Sequence, residues 1–144
     1  MAGGAQPEGQ HLSGGSFTDA RALAAALDRG AQRSLVAAEA AMRHSAQALV
    51  QQVQQRASGR PGPRVITGRY RASWSSEVHQ AGPVTTGEVG SAAPQARRLE
   101  FGFVGVDSLG RHSCQRPYPH LGPAVEQAGP LFVEALGRAV EGAL

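Results

Sequence analysis

The chain has 144 residues, enough for one small domain and too few for two comfortable ones. Leu, Val, Ile and Phe together supply only 28 of those residues, which borders on the composition of disordered chains, but a net charge of +3 lacks the charge imbalance that disorder also needs. The sequence contains no lysine, which excludes a phosphate loop of the usual type, and a single cysteine, which excludes an internal disulfide. Much of the remaining apolar content is alanine, which buries little area per residue. The composition therefore predicts a folded, lightly cored domain that gains stability from partners. All 14 basic residues are arginine and the sequence pI is near 10.0, which permits a nucleic-acid contact without requiring one. No run of about 18 apolar residues occurs, so no membrane span is expected. The first residues lack the basic-then-apolar order of a signal peptide, and the expectation is a soluble chain that matures in a cytoplasm.

Residues 1–15, MAGGAQPEGQHLSGG, carry five glycines and little to bury, and predict a disordered tail ahead of a single domain over 16–144. Ser16 or Thr18 can cap a helix and Asp19 suits its first turn. From Asp19 to about Ala57 the pattern is helical. Leu35, Ala38, Met42, Ala46, Leu49 and Val53 form one stripe, with Arg33, Ala37, His44, Gln47, Gln51 and Gln55 opposite. Leu23 and Leu27 drift off the stripe, which predicts either a break near Gly30 or a rotation onto a second surface. SGRPGPR, residues 58–64, stops the helix. ITGRYRASW then leads into a strand in which Trp74, Ser76 and Val78 share a side, and QAGP (80–83) turns it back into VTTGEVG. Ala92 to Glu100 predicts a short helix. FVGV, a turn at DSLG, and RHSCQ predict a second, weaker hairpin. In the final helix, Pro123 stands near the start, Val125, Ala128, Phe132, Leu136 and Ala139 share a face, and Gly129-Pro130 predicts a kink or restart. The fold class is α+β: a long N-terminal helix, a small antiparallel β-sheet and a C-terminal helix.

Three constellations bear on chemistry. His112, Cys114 and His120 lie within nine residues and could offer zinc three ligands, with Asp107 a conceivable fourth, but their spacing matches no common zinc pattern. Cys114 with His112 as its base is the thiol alternative; no oxyanion hole or orienting carboxylate is legible beside it. The plain reading is a surface hairpin followed by a proline-stiffened connector. Arg56, Arg60, Arg64, Arg69 and Arg71, with Tyr70 and Trp74, form an aromatic–basic stretch on which nucleic-acid bases could stack. Against that, the only tryptophan of a lightly cored chain belongs at the centre of its core.

Three motifs then follow in order: Thr67-Gly68-Arg69-Tyr70-Arg71-Ala72-Ser73-Trp74, Ala96-Arg97-Arg98-Leu99-Glu100-Phe101-Gly102, and Pro119-His120-Leu121-Gly122-Pro123-Ala124. With the long helix before them and a helix after, they resemble the HK-ninety-seven gene-ten-like family of neck and minor tail proteins of long-tailed phages (lambda minor tail protein Z-like). Its pattern is TG-x-L-x-x-S, then A-x-x-[VL]-E-[FY]-G, then P-[FY]-L-x-P-A. The resemblance runs over roughly residues 20 to 144. Tyr70 departs from the family's aliphatic residue, and His120 from its aromatic one, so His120 reads as a flat side chain filling an anchoring position.

The resemblance implies a virion structural protein of the neck, or head–tail junction, without catalysis or cofactor. It would form or complete a ring between head-closure and tail-terminator proteins. A homo-oligomeric ring is implied, sixfold or twelvefold from the family's position, with head-closure, tail-terminator or tail-tube proteins as partners. The location is the virion neck or tail, with host cytoplasm during assembly. Non-specific contact with genomic DNA in the lumen is compatible with the scattered arginines. The assembly candidates are Thr67 and Gly68 (a turn entering the strand), Arg71 and Glu100 (an ion pair or interface), Trp74, Phe101 and Gly102. Pro119, Leu121 and Pro123 are expected to anchor the final helix. A nucleic-acid-binding module using Arg56 to Arg71 is the alternative, and a metal- or thiol-dependent enzyme a more distant one.

Overall fold

A computed structural model describes residues 19–144. The tail expected over 1–15 and the capping candidates Ser16 and Thr18 lie outside the described residues. Asp19 caps the first helix: its Oδ1 accepts the Ala22 N–H at 2.7 Å. From there α1 (Ala20–Arg56) runs 37 residues, about 55 Å at about 1.5 Å per residue. No break occurs at Gly30. A helical glycine costs only about 1 kcal/mol relative to alanine, and here Gly30 is buried and its carbonyl also accepts the Ser34 hydroxyl at 2.9 Å. The rotation is what the chain adopts. Ala26 and Gly30 are the buried positions of the first turns, while Leu23 and Leu27 are exposed. From Leu35 onward the predicted stripe is buried or half-buried throughout.

After the turns at 58–64 comes one helical turn, α2 (Arg69–Ala72), then β1 (Trp74–Ala81) and β2 (Val84–Ser91). These strands pair antiparallel from Trp74↔Ser91 to Ala81↔Val84. A short helix α3 (Ala96–Phe101) leads into a second antiparallel pair, β3 (Phe103–Val106) and β4 (His112–Gln115). The strands thus form two separate two-stranded sheets. Two-stranded hairpins are marginal on their own. The first gains support by packing against α1; the second makes little contact with α1, α4 or the first hairpin and stands out as an arm.

The last helix, α4 (Leu121–Ala143), returns antiparallel along α1. Side chains of α1 tie it down in two places. Arg56 donates to Gln127 Oε1 at 2.6 Å, and Arg33 donates to the Ala143 carbonyl at 2.9 Å. The restart expected at Gly129-Pro130 is absent. Pro130 lies inside the helix, on its exposed side, where the Glu126 carbonyl that loses its N–H partner and meets the proline ring lies toward solvent as well.

The core is small. Val53, Trp74 and Ala124 meet where the C-terminal end of α1, the start of β1 and the start of α4 converge, with Leu49, Val50, Tyr70, Val89 and Leu121 around them. Among the described residues the buried apolar side chains are otherwise alanines and Pro63, while 14 large apolar residues are exposed. Among the described residues a large part of the apolar side chains thus remains uncovered.

Candidate assembly surface

Helix α4 begins without a capping side chain of its own: His120 holds the N-cap position and makes no cap hydrogen bond. The orphan N–H groups of the first turn are met by a carboxylate from another element. Glu100, near the end of α3, accepts the N–H groups of His120 and Leu121 on Oε2, each at 2.9 Å, and that of Gly122 on Oε1 at 2.8 Å. Its negative charge also faces the positive end of the α4 dipole. Burial pushes the Glu100 carboxyl up, but the three backbone N–H groups and nearby His120 together outweigh it. The carboxyl stays below its ordinary value.

His120 is completely buried beside this joint. Its Nδ1 lies 2.8 Å from the Tyr118 carbonyl and 3.1 Å from Glu100 Oε2. Two acceptors on one nitrogen assign the proton to Nδ1, so in the neutral ring Nε2 accepts the Tyr70 hydroxyl at 2.5 Å. The ring stands edge-on to Tyr70 and Trp74, with centroids 5.5 and 5.6 Å away. Burial pushes the Tyr70 hydroxyl up to about 12; the Trp74 indole N–H acts weakly the other way without closing a hydrogen bond, and Glu100 adds to the rise. Tyr70 is therefore a donor at any physiological pH. Glu100, His120 and Tyr70 are ordered like an acid–base relay, but His120 has no exposed surface and both its nitrogens are bonded within the chain. The arrangement locks α3, α2 and the α4 terminus into one joint.

The structure gathers only part of the expected site at this joint. Trp74 is central to the core, as its solitary status predicted. Leu121 packs half-buried against that core, and Pro123 lies in the first turn of α4, with Pro119 exposed just before it. Thr67 and Gly68 do form a turn, but it opens α2 rather than the strand. Gly68 takes a left-handed φ of 81° as the N-cap, and Thr67 Oγ1 accepts the Arg69 N–H at 3.3 Å. The helical turn carries Tyr70, whose hydroxyl meets His120 Nε2. The Arg71–Glu100 ion pair does not form: Arg71 donates to Ser58 Oγ at 3.2 Å, and Glu100 is occupied by α4. Gly102 closes α3 with a φ of 77°, and a Cβ there would come within 2.7 Å of the Gln115 carbonyl. Phe101 beside it is 74 % exposed.

The His112, Cys114 and His120 cluster is dispersed. His112 and Cys114 share the exposed side of β4, while His120 points into the core, and the described residues hold no group of three metal-ligating side chains. Of the arginines read as a nucleic-acid patch, Arg60 stacks 3.8 Å over the Tyr118 ring, and Arg56 and Arg71 are hydrogen-bonded within the fold. Sequence reasoning missed Glu100 as the cap of α4 and Tyr70 as the partner of His120. One signal was present: His-Leu-Gly-Pro offers no Ser, Thr, Asp or Asn to cap the helix, so an acceptor had to come from elsewhere.

Two unpartnered apolar surfaces complete the picture. On the arm, Val104 and Val106 face solvent at 81 % and 53 % exposure, and Leu109 at the tip is 74 % exposed. Between α1, α4 and β2 runs an open groove of about 620 Å³ whose lining includes Met42, Leu49, Val89, Val125 and Phe132. In the described residues no helix is long and apolar enough to cross a membrane. Residues 21–102 match the family described as "Bacteriophage HK97-gp10, putative tail-component". That match holds the first two motifs and ends at Gly102, so the Pro119–Ala124 motif lies beyond it. No curated protein and no solved structure matches the chain.

Proposed function

Because the chain belongs to the HK97-gp10-like family of phage tail components, we propose that it is a structural part of the neck of a long-tailed phage. In that reading it forms or completes a ring between the head-closure and tail-terminator proteins. The family makes it a virion component; the neck position and the ring are the proposal. The observation that carries it is the mismatch between an interior of a few small side chains around Val53 and Trp74 and the exposed apolar arm and groove. A subunit with so little core of its own suits a place where neighbours supply the rest. The capped joint between α3 and α4 would serve as the rigid base from which the arm projects.

Peptide mass spectrometry of gradient-purified particles tests this. A fixed ratio of the chain to the portal protein, compatible with a ring, is the expected result; absence from intact particles would overturn it. A DNA-facing role has its own supporting observation: residues 56–72 carry five arginines and no acidic residue. Arg64 and Arg69, with no partner among the contacts within the described residues, would then face the lumen. Salt-sensitive binding of DNA to the isolated chain is the expected signature, since phosphate contacts release counterions. No binding at low salt would remove that role and leave the ring intact.

A further inference from the structure

The β1–β2 hairpin divides cleanly into two faces. Trp74, Ser76, Val78, Val89 and Ser91 are buried or half-buried toward α1, and a Cβ at Gly87 would meet the Met42 sulfur. On the outer face every position is exposed. Its tip end is apolar, with Ala81 opposite Val84, which is 58 % exposed. Its middle is acidic, with Glu77 directly opposite Glu88, an arrangement that like charges make unfavourable. Among the described residues the one basic group paired with either is His79, whose Nε2 lies 3.3 Å from Glu77 Oε2. The sequence has no arginine between Arg71 and Arg97. The arginines of α2 stand at the root of the hairpin, so the acidic middle and the apolar tip are the part open to a cation from outside.

The loop ahead of α2 carries the converse pattern. Val65 and Ile66 stand out at 43 % and 92 % exposure, with Arg64 before them and Arg69 three residues after. The loop also holds Arg60, which lies over the Tyr118 ring, as does Arg116. The acids near it are few: Glu100 is spent on α4, and Glu126 sits beside the Gln127 that Arg56 holds. A nucleic acid would satisfy the arginines but offers no seat for Val65 and Ile66. A protein face with an apolar end and a carboxylate pair suits both. The spacing agrees. Ala81 lies four residues from Glu77, about 13 Å along the strand. Arg64 lies two residues from Ile66, at most about 7 Å of backbone, and its long side chain spans the rest. The loop enters its own hairpin at the root, eight strand residues or about 26 Å from the tip, so the match is to another copy.

We propose that the 64–69 loop of one copy docks on the outer face of the β1–β2 hairpin of a second copy, with Ile66 against Ala81 and Val84 and Arg64 reaching Glu77 and Glu88. Loop and face are different surfaces, so the contact is head-to-tail, and repetition closes a ring or runs on as a filament. This rests on the homo-oligomer of the preceding section and names two surfaces that build it.

Charge reversal in the full-length chain tests it. Glu88→Arg and Arg64→Glu both fall at exposed positions, and each should leave the thermal unfolding midpoint unchanged. Each alone should weaken self-association, read by analytical ultracentrifugation at low salt, by more than about tenfold, since like charges then meet across the contact. Mixed one to one, the two variants should associate again, because each loop then finds a face of opposite sign on the other chain. Self-association unchanged by either reversal would overturn the proposal and leave a ring built through other surfaces. Two weakened variants that stay apart when mixed would overturn it as well, since the reversed groups would not be partners. Loss of DNA binding in Arg64→Glu at unchanged self-association would give the loop to nucleic acid instead. A chain monomeric at every concentration and absent from particles would remove the ring together with the contact.

Discussion

Gly102 separates two regions that are adjacent in sequence and opposite in completeness. On one side, Glu100 has both carboxylate oxygens bonded to the start of α4, and its neighbours His120, Tyr70 and Trp74 are packed against one another. On the other, the arm shows its valines to solvent and rests on little but its own ladder. Packing is concentrated in the first region, and uncovered apolar surface in the second. Substitutions on the two sides should therefore differ in kind: the joint should answer in unfolding measurements and the arm in assembly measurements.

The largest effect is expected at the core. Trp74→Ala should cost about 4 kcal/mol in chemical unfolding, the range for a large aromatic removed from a packed interior. In so small a core that is a large share of the whole, and a loss under about 1 kcal/mol would show that the core lies elsewhere. Glu100→Ala comes next, at about 3 kcal/mol, since it leaves three N–H groups at the buried start of α4 without their charged acceptor. Its pH signature separates it from a packing defect. The folded carboxyl titrates below the ordinary 4.5, so in acid the unfolded chain binds the proton first. The stabilisation is full above about pH 4.5 and is lost as the pH falls through the folded value. Glu100→Gln should flatten that acid limb of the stability profile; an unchanged limb would put the acid sensitivity in another group.

Tyr70→Phe should cost about 2 kcal/mol by leaving the buried His120 Nε2 unbonded. The smallest change is expected on the arm. Val106→Ser should alter monomer stability by no more than about 0.5 kcal/mol, as for other exposed positions, while reducing self-association. A loss of monomer stability comparable to that at the joint would erase the contrast between the two regions.

Much of the fold was legible in advance because it follows from local rules. The apolar stripe of α1, the Gly-Pro punctuation after it, the alternation through Trp74–Val78 and the turn at Gly82-Pro83 each depend on a few neighbouring residues. Where the local pattern left alternatives open, distant packing decided: α1 passes Gly30 unbroken and turns onto a second surface, and α4 runs through Pro130 without a restart. Arg71 and Glu100 looked like a pair because their charges are opposite, yet pairing is decided by who else competes. Three N–H groups converging on one carboxylate, at the positive end of a helix, outbid a single exposed guanidinium.

The sequence by itself determined the elements apart from the single turn of α2, their order and the membership that the first two motifs carry, since periodicity, turn chemistry and short patterns are written within a few residues. The tertiary structure alone decided that Glu100 caps a helix beginning 21 positions later, that His120 pairs with a tyrosine 50 positions earlier, and that Cys114 faces outward. Those facts depend on which distant groups meet once the chain is compact, and on which donors are left over when every local bond has been made.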